Sequence, residues 1–344
     1  MARALRIQYP GAIYHVTCRG NEQRDIFQDD ADRQRFLQLL TQSLTIYKVK
    51  LHSYVLMTNH FHLLVETALG NLAEFMRHFN ITYTGSFNRR HQRTGHLYQG
   101  RYKSLLVDKE AYLTALSRYL HLNPVRILAL KKKSLPDKIQ YLITYPWSSL
   151  PGYLTRQKKE GFVHYDLVLS PYGGENEPAR KAYRAALYED LSAGIQIKDQ
   201  ILGGSLLGGD EFIEWVRARF LKGQKDRERP SLKQIHTYRT RDVIIRAIEQ
   251  ETGQTIASIA KDKGPVRQMV MELLYRMGGL KGEEIGKILG IGYTSVSQER
   301  RRLRERLAKD PKLQRLMQRI EQKVTDEDLT PPLQGSSRKS RMKI

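Results

Sequence analysis

The sequence predicts an α+β protein, in which a ferredoxin-like antiparallel sheet domain precedes an all-α domain that contains a helix-turn-helix. Three observations predict it. Short apolar runs alternate with helical patterns over Tyr14–Tyr153, in the order βαββαβ followed by a helix. Glycine and proline cluster over Leu154–Pro230, as is typical of connecting segments. Over Ser231–Val324 the pattern is again helical.

The elements of the sheet domain follow from residue type and period. β-branched and aromatic runs that close on turn residues predict strands, and apolar residues on one face with a polar cap predict helices. Asp29 or Asp30 caps the first helix, Thr58 and Asn59 form a hairpin turn, and Pro124 stops the last helix. The predicted strands are 12–20, 50–57, 60–66 and 95–107, and the predicted helices are 29–48, 71–90 and 108–123.

We divide the chain into four segments. The sheet domain spans 1–153, a connector that includes a helical stretch spans 154–230, the helix-turn-helix domain spans 231–324, and a polar, disordered tail spans 325–344.

Composition restricts the class of protein. The 344 residues are 40% hydrophobic, enough for cores of two domains, and no run of about 18 uncharged apolar residues predicts a membrane span. The single cysteine, Cys18, excludes an internal disulfide and a thiolate metal cluster, and fits a reducing, cytoplasmic environment. We interpret Cys18 as a small buried strand residue.

The charge predicts a polyanionic partner. Lys and Arg number 58 against 36 Asp and Glu, which gives a net charge of +22. Nucleic acid is the commonest polyanion that such a surplus binds. An anionic membrane is the alternative, but no basic amphipathic helix with an exposed aromatic face is evident.

Two histidines interrupt the apolar stretch VLMTNHFHLLVE. Residues i and i+2 of a strand project to the same face, so His60 and His62 stand side by side while Phe61 points to the core. Two imidazoles so placed can converge on one divalent cation. The alternative is a pair of surface histidines on the solvated face of the sheet.

The stretch ALSRYLHLNPVR adds two further candidates. Tyr119 and Asn123 are four residues apart and share a helix face. Asn123 offers an oxygen ligand suited to Mg²⁺ or Mn²⁺. Tyr119 offers a phenol as nucleophile. A metal that polarises a phosphate and neutralises its charge would make that phosphate an effective target for the phenol oxygen. Tyr112 is a second candidate nucleophile, and Pro124 predicts that Asn123 closes the helix instead of lying within it.

These residues carry a resemblance. His60-Phe61-His62 is similar to the His-hydrophobe-His (HUH) motif of single-strand DNA nucleases and transposases. The ordered blocks YHVTCRGNEQRDIF, VLMTNHFHLLVE, GHLYQGRYKS, RYLHLNPVR and YPWSS resemble the REP-associated tyrosine transposases, relatives of the single-tyrosine insertion-sequence transposases. The resemblance covers about residues 9–153.

The resemblance implies a metal-dependent transesterase that cleaves and rejoins single-stranded DNA hairpins of the REP type through a 5′-phosphotyrosine. Carried over by position, Tyr119 is the nucleophile, and His60, His62 and Asn123 hold Mg²⁺ or Mn²⁺. Bacterial, nucleoid-associated localisation is implied, and the protein acts as a monomer or a homodimer.

Further residues are candidates for DNA contact. The resemblance places Arg19, Asn21 and Arg24 where the family reads a short guide sequence; a solvated polar turn is the alternative. In FNRRHQRTGHLYQGRYK, cationic residues that include Arg101 and Lys103 alternate with aromatic ones, a composition that suits a groove for single strands.

The C-terminal domain predicts a second contact with DNA. GGLKGEEIGKILGIGYTSVSQERRRLRERLAK indicates helix, tight turn and helix. The second helix begins with small polar residues and continues with arginines, as insertion in a major groove requires. The layout of 231–307 resembles the C-terminal DNA-binding domain of the replication initiator DnaA. Our candidates there are Thr294, Ser295, Gln298, Arg301 and Arg302.

Two other functions stay open. In one, the protein is a non-catalytic, sequence-specific DNA-binding regulator, and the sheet binds DNA without cleaving it. In the other it binds RNA on an RRM-like sheet, although the aromatic RNP pattern is missing.

Overall fold

A computed structural model describes residues 6–195, 197, 200–221 and 238–326. The chain divides into two compact units between Leu232 and Lys233. Among the described residues, no helix combines the length and apolar character needed to cross a bilayer.

The first unit contains one sheet and the helices that pack on it. Its strands are β1 (Ala12–Arg19), β2 (Val49–Leu56), β3 (His60–Thr67), β4 (Lys103–Val107), β5 (Ile201–Leu202) and β6 (Leu206–Leu207). Its helices are α1 (Asp30–Tyr47), α2 (Leu72–Arg90), α3 (Lys109–His121), α4 (Leu128–Lys131), α5 (Leu135–Thr144), α6 (Leu150–Leu154), α7 (Asp166–Leu169), α8 (Glu177–Ala193) and α9 (Asp210–Val216).

The strand order in the sheet is β2-β3-β1-β4-β6-β5. β1 lies between β3 and β4 and is antiparallel to both, and β2 and β3 form a hairpin. These four strands have the split βαβ arrangement, so the predicted fold class is confirmed. β6 then adds parallel to β4 through Leu206 and Leu207, so part of the segment predicted as a connector belongs to the sheet.

Strand register brings the polar candidates to one end of the sheet. Arg19 lies opposite His60, and Thr17 lies between His62 on β3 and Lys103 on β4. These side chains reach that end because antiparallel neighbours pair residue by residue.

The two faces of the sheet differ in what covers them. On one face Phe61 packs against Phe36 of α1 and Phe79 of α2, and all three rings are fully buried. On the other face, Ser53 of β2 is hydrogen-bonded to Ser117 of α3 (Oγ to Oγ 2.8 Å). The histidines at even positions of β3 therefore face the side on which α3 lies.

A buried polar network holds α3 in place. The Tyr183 hydroxyl of α8 lies 2.9 Å from Ser117 Oγ and 2.8 Å from His121 Nδ1, and His121 Nε2 lies 2.9 Å from Ser149 Oγ. Because buried polar groups are costly to leave unpaired, this network fixes the helix against the sheet and α8.

Two details differ from the sequence-based expectation. The fourth strand was predicted over 95–107, but β4 begins only at Lys103, and the preceding residues form a loop in which Gly95 and Gly100 have φ of +87° and +74°. Helix α3 ends at His121, and Asn123 begins a short 3-10 turn through Arg126, as the position of Pro124 predicted.

The second unit is helical, as predicted. Its helices are α10 (Arg241–Thr252), α11 (Ile256–Lys261), α12 (Pro265–Arg276), α13 (Gly282–Leu289), α14 (Tyr293–Leu307) and α15 (Pro311–Asp326). The boundary predicted at 230/231 and residues 327–344 of the predicted tail lie outside the described residues.

Helices α13 and α14 are joined by a tight turn. Gly290 ends α13 with a φ of +66°, in the left-handed region that favours glycine. A Cβ on Gly286 would lie 2.4 Å from the carbonyl oxygen of Ile291, so the close approach of the turn also requires glycine there. Val296 and Leu303 anchor α14 in the core, which leaves its opposite face to solvent.

Candidate active site

A cavity of about 780 Å³ opens at the polar end of the sheet. Its lining includes seven of the residues predicted from the sequence: Arg19, His60, His62, Arg101, Lys103, Tyr119 and Asn123. The strands supply the imidazoles, α3 supplies the phenol, and the turn after α3 supplies the amide. Tyr112, the second candidate nucleophile, is not part of this lining.

The two predicted histidines are oriented by neighbouring side chains. Their ring centroids lie 5.1 Å apart with an angle of 80° between the planes. His60 Nδ1 donates to Asn59 Oδ1 (2.7 Å), so the lone pair of this ring is on Nε2. Burial, with a contribution from Arg19, lowers the pKa of His60 to about 4. The ring is therefore neutral at physiological pH, the form that binds metals.

His15 is a site residue that the sequence reading missed. Its Nε2 lies 2.9 Å from His62 Nδ1, and the two rings are stacked with centroids 5.1 Å apart. Burial lowers the pKa of His15 to about 4. The alternation of side chains along β1 could have indicated His15. His15 and Thr17 lie on the same face of β1, and Thr17 is the residue paired with His62 on β3.

The end of α3 places the phenol and the amide. Asn123 Nδ2 donates to the carbonyl oxygens of Tyr119 (3.1 Å) and Leu120 (3.0 Å), which caps the helix and commits the amide nitrogen. Its Oδ1 is then the atom that can ligate. Tyr119 is 8% exposed, and the Arg126 guanidinium lies 4.2 Å from the centroid of its ring, in cation–π contact.

The residues present fit a divalent cation. Within the described residues, no group of three His, Cys, Asp or Glu side chains could hold a metal, so the candidate donor set is two imidazoles and one amide oxygen. A hydrogen bond at Nδ1 of each ring is the arrangement by which proteins orient metal-binding histidines. A neutral donor set with few protein ligands suits an ion that keeps several waters, such as Mg²⁺ or Mn²⁺.

The remaining candidates of the first unit lie beside the cavity or in its wall. Asn21 and Arg24 are not part of the lining. Both are exposed in the loop after β1, where Asn21 N donates to Leu97 O and Arg24 pairs with Glu22 at 2.7 Å. Their role in DNA contact stays a prediction. Cys18 lines the cavity but is buried, and burial raises its pKa to about 12, so it is an inert thiol.

All five candidates of the second unit are exposed on α14: Thr294, Ser295, Gln298, Arg301 and Arg302. Arg300, another arginine of α14, is turned inward. It pairs with Glu272 at 2.8 Å and stacks over Tyr275 at 3.4 Å from the ring centroid. Its side chain is 13% exposed, so its role is to join α14 to α12.

Comparison with known proteins shows which family a part of the first unit is similar to. A family model described as "Transposase IS200 like" matches residues 8–123. Over residues 8–123 the chain is therefore similar to the IS200-like transposases. The matched segment includes His60, His62, Tyr119 and Asn123, and stops short of Arg126 and of the second unit.

Two further comparisons were made with the whole chain. A solved structure of a REP-associated tyrosine transposase bound to a REP hairpin is 12% identical to the chain, covers 48% of it and 93% of its own length, and has a TM-score of 0.37. No curated protein matches the chain.

Proposed function

We propose that the protein is a metal-dependent transposase that cleaves and rejoins single-stranded, REP-like hairpin DNA through a 5′-phosphotyrosine intermediate. One observation carries the proposal: a phenol, two oriented imidazoles and an amide line the same cavity as three cationic side chains. All of them come from one chain.

The reaction is a pair of transesterifications. The Tyr119 oxygen attacks the phosphorus of a phosphodiester and its proton passes to water. The bond from phosphorus to the 3′-oxygen breaks, and that oxygen takes a proton from water and leaves as a free 3′-hydroxyl. Rejoining reverses these steps, as a 3′-hydroxyl attacks the phosphotyrosine and releases the phenol.

His60, His62 and Asn123 would hold the cation. When bound, it polarises the scissile phosphate and neutralises its charge. Burial holds the His60 imidazole neutral. Asn59 contacts the His60 ring and His15 contacts the His62 ring, so the protein spends no free energy on orienting these two rings during the reaction. Arg19, Arg101 and Lys103 line the cavity where a strand's phosphates would pass.

We assign the second unit to binding of the hairpin stem or of duplex DNA. Thr294, Ser295 and Gln298 form the exposed first turns of α14, where a recognition helix reads base edges. Arg301 and Arg302 follow on the exposed face and would contact phosphates. The guide-reading role of Arg19, Asn21 and Arg24 belongs to the same proposal.

The decisive experiment is Tyr119→Phe. The chain is incubated with Mn²⁺ and labelled single-stranded hairpins from the DNA that flanks its coding region, and covalent adducts are counted on a denaturing gel. The variant should form no adduct and still bind the hairpin, because only the attacking oxygen is lost. Tyr112→Phe is the matched control and should form adducts at the wild-type rate.

The rival functions give different results in the same assay. A non-catalytic regulator would bind DNA with salt-sensitive affinity and form no adduct in any variant or metal. An RNA-binding protein would prefer an RNA hairpin over the matched DNA hairpin in competition. Full adduct formation by Tyr119→Phe would move the nucleophile to another residue.

A further inference from the structure

The turn that follows α3 carries an arginine whose role the proposed function leaves open. The Arg126 guanidinium lies 4.2 Å from the centroid of the Tyr119 ring. We propose that Arg126 is a positioning residue, which holds this ring so that the phenol oxygen is directed into the active-site cavity. The proposal rests on the proposed function and adds a residue to it.

Helical geometry brings three side chains to one side of the turn. Tyr119 and Asn123 are about one helical turn apart, and Asn123 Nδ2 donates to the carbonyl oxygen of Tyr119 (3.1 Å). The 3-10 turn runs from Asn123 to Arg126, and side chains three residues apart in such a turn eclipse one another. The candidate metal ligand and the guanidinium therefore project from the same side, next to the candidate nucleophile.

The backbone that carries Arg126 is fixed. Pro124 and Val125 are buried, and the Val125 backbone N–H donates to the carbonyl oxygen of Leu122 (3.3 Å). The ring of Pro124 also fixes one backbone angle of the turn. Only side-chain rotamers of Arg126 therefore have to be ordered when its guanidinium packs on the tyrosine ring.

A tyrosine that acts as nucleophile has to be held by its ring. Other buried tyrosines of the first unit are fixed through the hydroxyl, since Tyr83 donates to the carbonyl oxygen of Ile26 (2.7 Å) and Tyr153 to that of His52 (2.5 Å). An attacking oxygen cannot be committed in this way, because the hydrogen bond would have to break before attack. A cation–π contact acts on the face of the ring and leaves the oxygen free.

Helix α8 supports the charge of Arg126. Burial of the guanidinium lowers the pKa of Arg126, whereas the nearby Tyr119 and Asp190 of α8 favour its charged form. Asp190 also pairs with Arg118 of α3 (Nε to Oδ2 2.5 Å). The same carboxylate thus holds the end of α3 and attracts the cation that packs on Tyr119.

The test separates orientation of the ring from binding of DNA and of metal. Arg126→Met keeps a long side chain and removes both the charge and the planar group, whereas Arg126→Lys keeps only the charge. The matched control is Arg6→Met, because the Arg6 guanidinium lies at the same 4.2 Å from the ring centroid of another tyrosine, Tyr102. Arg126 is exposed as a whole, so we expect its variants to fold, and the unfolding temperature checks this.

We expect single-turnover adduct formation by Arg126→Met to slow about 10–100-fold at saturating hairpin and Mn²⁺, the cost of a misdirected attacking group. Arg126→Lys should recover part of the rate, and Arg6→Met should react at the wild-type rate. The Mn²⁺ concentration for half-maximal rate should stay the same, as should the hairpin affinity measured in a Tyr119→Phe background. Arg126 belongs neither to the candidate metal ligands nor to the lining of the cavity.

The order of the ring is measured without the reaction. 3-Fluorotyrosine is placed at position 119, and the ¹⁹F resonance of the protein without DNA is recorded. A ring held in one orientation gives one narrow resonance. In Arg126→Met the resonance should broaden or split, because the ring samples two orientations, and Arg6→Met should give the wild-type spectrum.

An unchanged ¹⁹F spectrum of Arg126→Met would overturn the proposal whatever the rates, and so would a wild-type rate of adduct formation by this variant. A loss of hairpin affinity that Arg126→Lys restores would also overturn it, since Arg126 would then be a phosphate contact. Adduct formation by the unsubstituted protein tests the proposed function separately. If no hairpin gave adducts while the spectrum of Arg126→Met changed, the chemistry would be rejected and Arg126 would still orient the ring.

Discussion

In the active-site cavity, a side chain on one strand contacts a candidate metal ligand on the neighbouring strand. His62 is a candidate metal ligand on β3, and His15 of β1 contacts its Nδ1 at 2.9 Å. Such outer contacts hold the ring of a ligand in one tautomer and direction. His15 would therefore act through His62 on a cation bound there.

Replacing His15 tests this role. His15→Leu keeps a side chain of similar apolar bulk and removes the contact with His62 Nδ1. We expect the Mn²⁺ concentration for half-maximal adduct formation to rise about 10–100-fold, the usual cost of losing such a partner. The rate at saturating Mn²⁺ should change much less. An unchanged Mn²⁺ titration would show that His62 is oriented without His15.

The residues of the cavity that could be predicted from the sequence are those that belong to a local sequence pattern. His60 and His62 are adjacent on one strand face, and Tyr119 and Asn123 are one helical turn apart, so their proximity within each pair follows from the period alone. His15 could not be placed this way, because its contact depends on the register of β1 against β3. Ile201 and Gly204 also line the cavity, and they arrive from a segment about 140 residues after β3.

At the scale of elements, the position of Tyr119 depends on how α3 is held. The Tyr183 hydroxyl joins Ser117 and His121 of α3 to α8, and all three residues are fully buried. Burial lowers the pKa of His121 to about 3, so the network is built on a neutral imidazole. Helix α3 is thus fixed by a segment that follows it by some 60 residues.

Removing the shared hydroxyl tests that dependence. Tyr183→Phe removes the hydroxyl that is hydrogen-bonded to Ser117 and His121, and both side chains are buried. We therefore expect the free energy of unfolding to fall by about 1–3 kcal/mol. At temperatures at which the variant is still folded, the rate of adduct formation should also fall, because α3 positions the nucleophile. Tyr188→Phe, on the same helix and outside the network, should change neither.

If Tyr183→Phe unfolded more easily but formed adducts at the wild-type rate, the network would serve stability alone. Denaturant unfolding and a single-turnover adduct assay separate the two outcomes.

The longer elements were predictable and the shortest ones were not. Helices α1, α2 and α3 and the β2–β3 hairpin match the predicted positions within about two residues, because each carries a full period and a cap or turn. β5 and β6 have two residues each. A two-residue strand has no alternation, and its flanking glycines predict a loop equally well. The membership of β6 in the sheet comes from its pairing with β4, which is a tertiary interaction.

At the scale of the whole molecule, the net charge of +22 is carried by two units with different candidate contacts. The first unit has the cavity that we propose to hold a single strand, and the second has the exposed face of α14. Electrostatic contacts of both kinds weaken with salt, but only the first should affect chemistry. The two contributions can therefore be separated by substitution.

Arg301→Ala makes that separation. Arg301 is exposed on α14, and its pairing with Glu305 at 3.1 Å is a surface contact of small free energy. If it contacts a phosphate, the variant should bind duplex DNA more weakly at every sequence, and the slope of log affinity against log salt should fall by about 1. Gln298→Ala should instead weaken the free energy of binding by about 1–3 kcal/mol at one base pair and relax the preference for that base pair.

Arg315→Ala, which removes an exposed arginine from α15, is the control for charge alone. Adduct formation at saturating single-stranded hairpin should be the same in all three variants. A salt slope that changes equally in Arg301→Ala and Arg315→Ala would mean that the second unit attracts DNA by its net charge, and that α14 is no recognition helix.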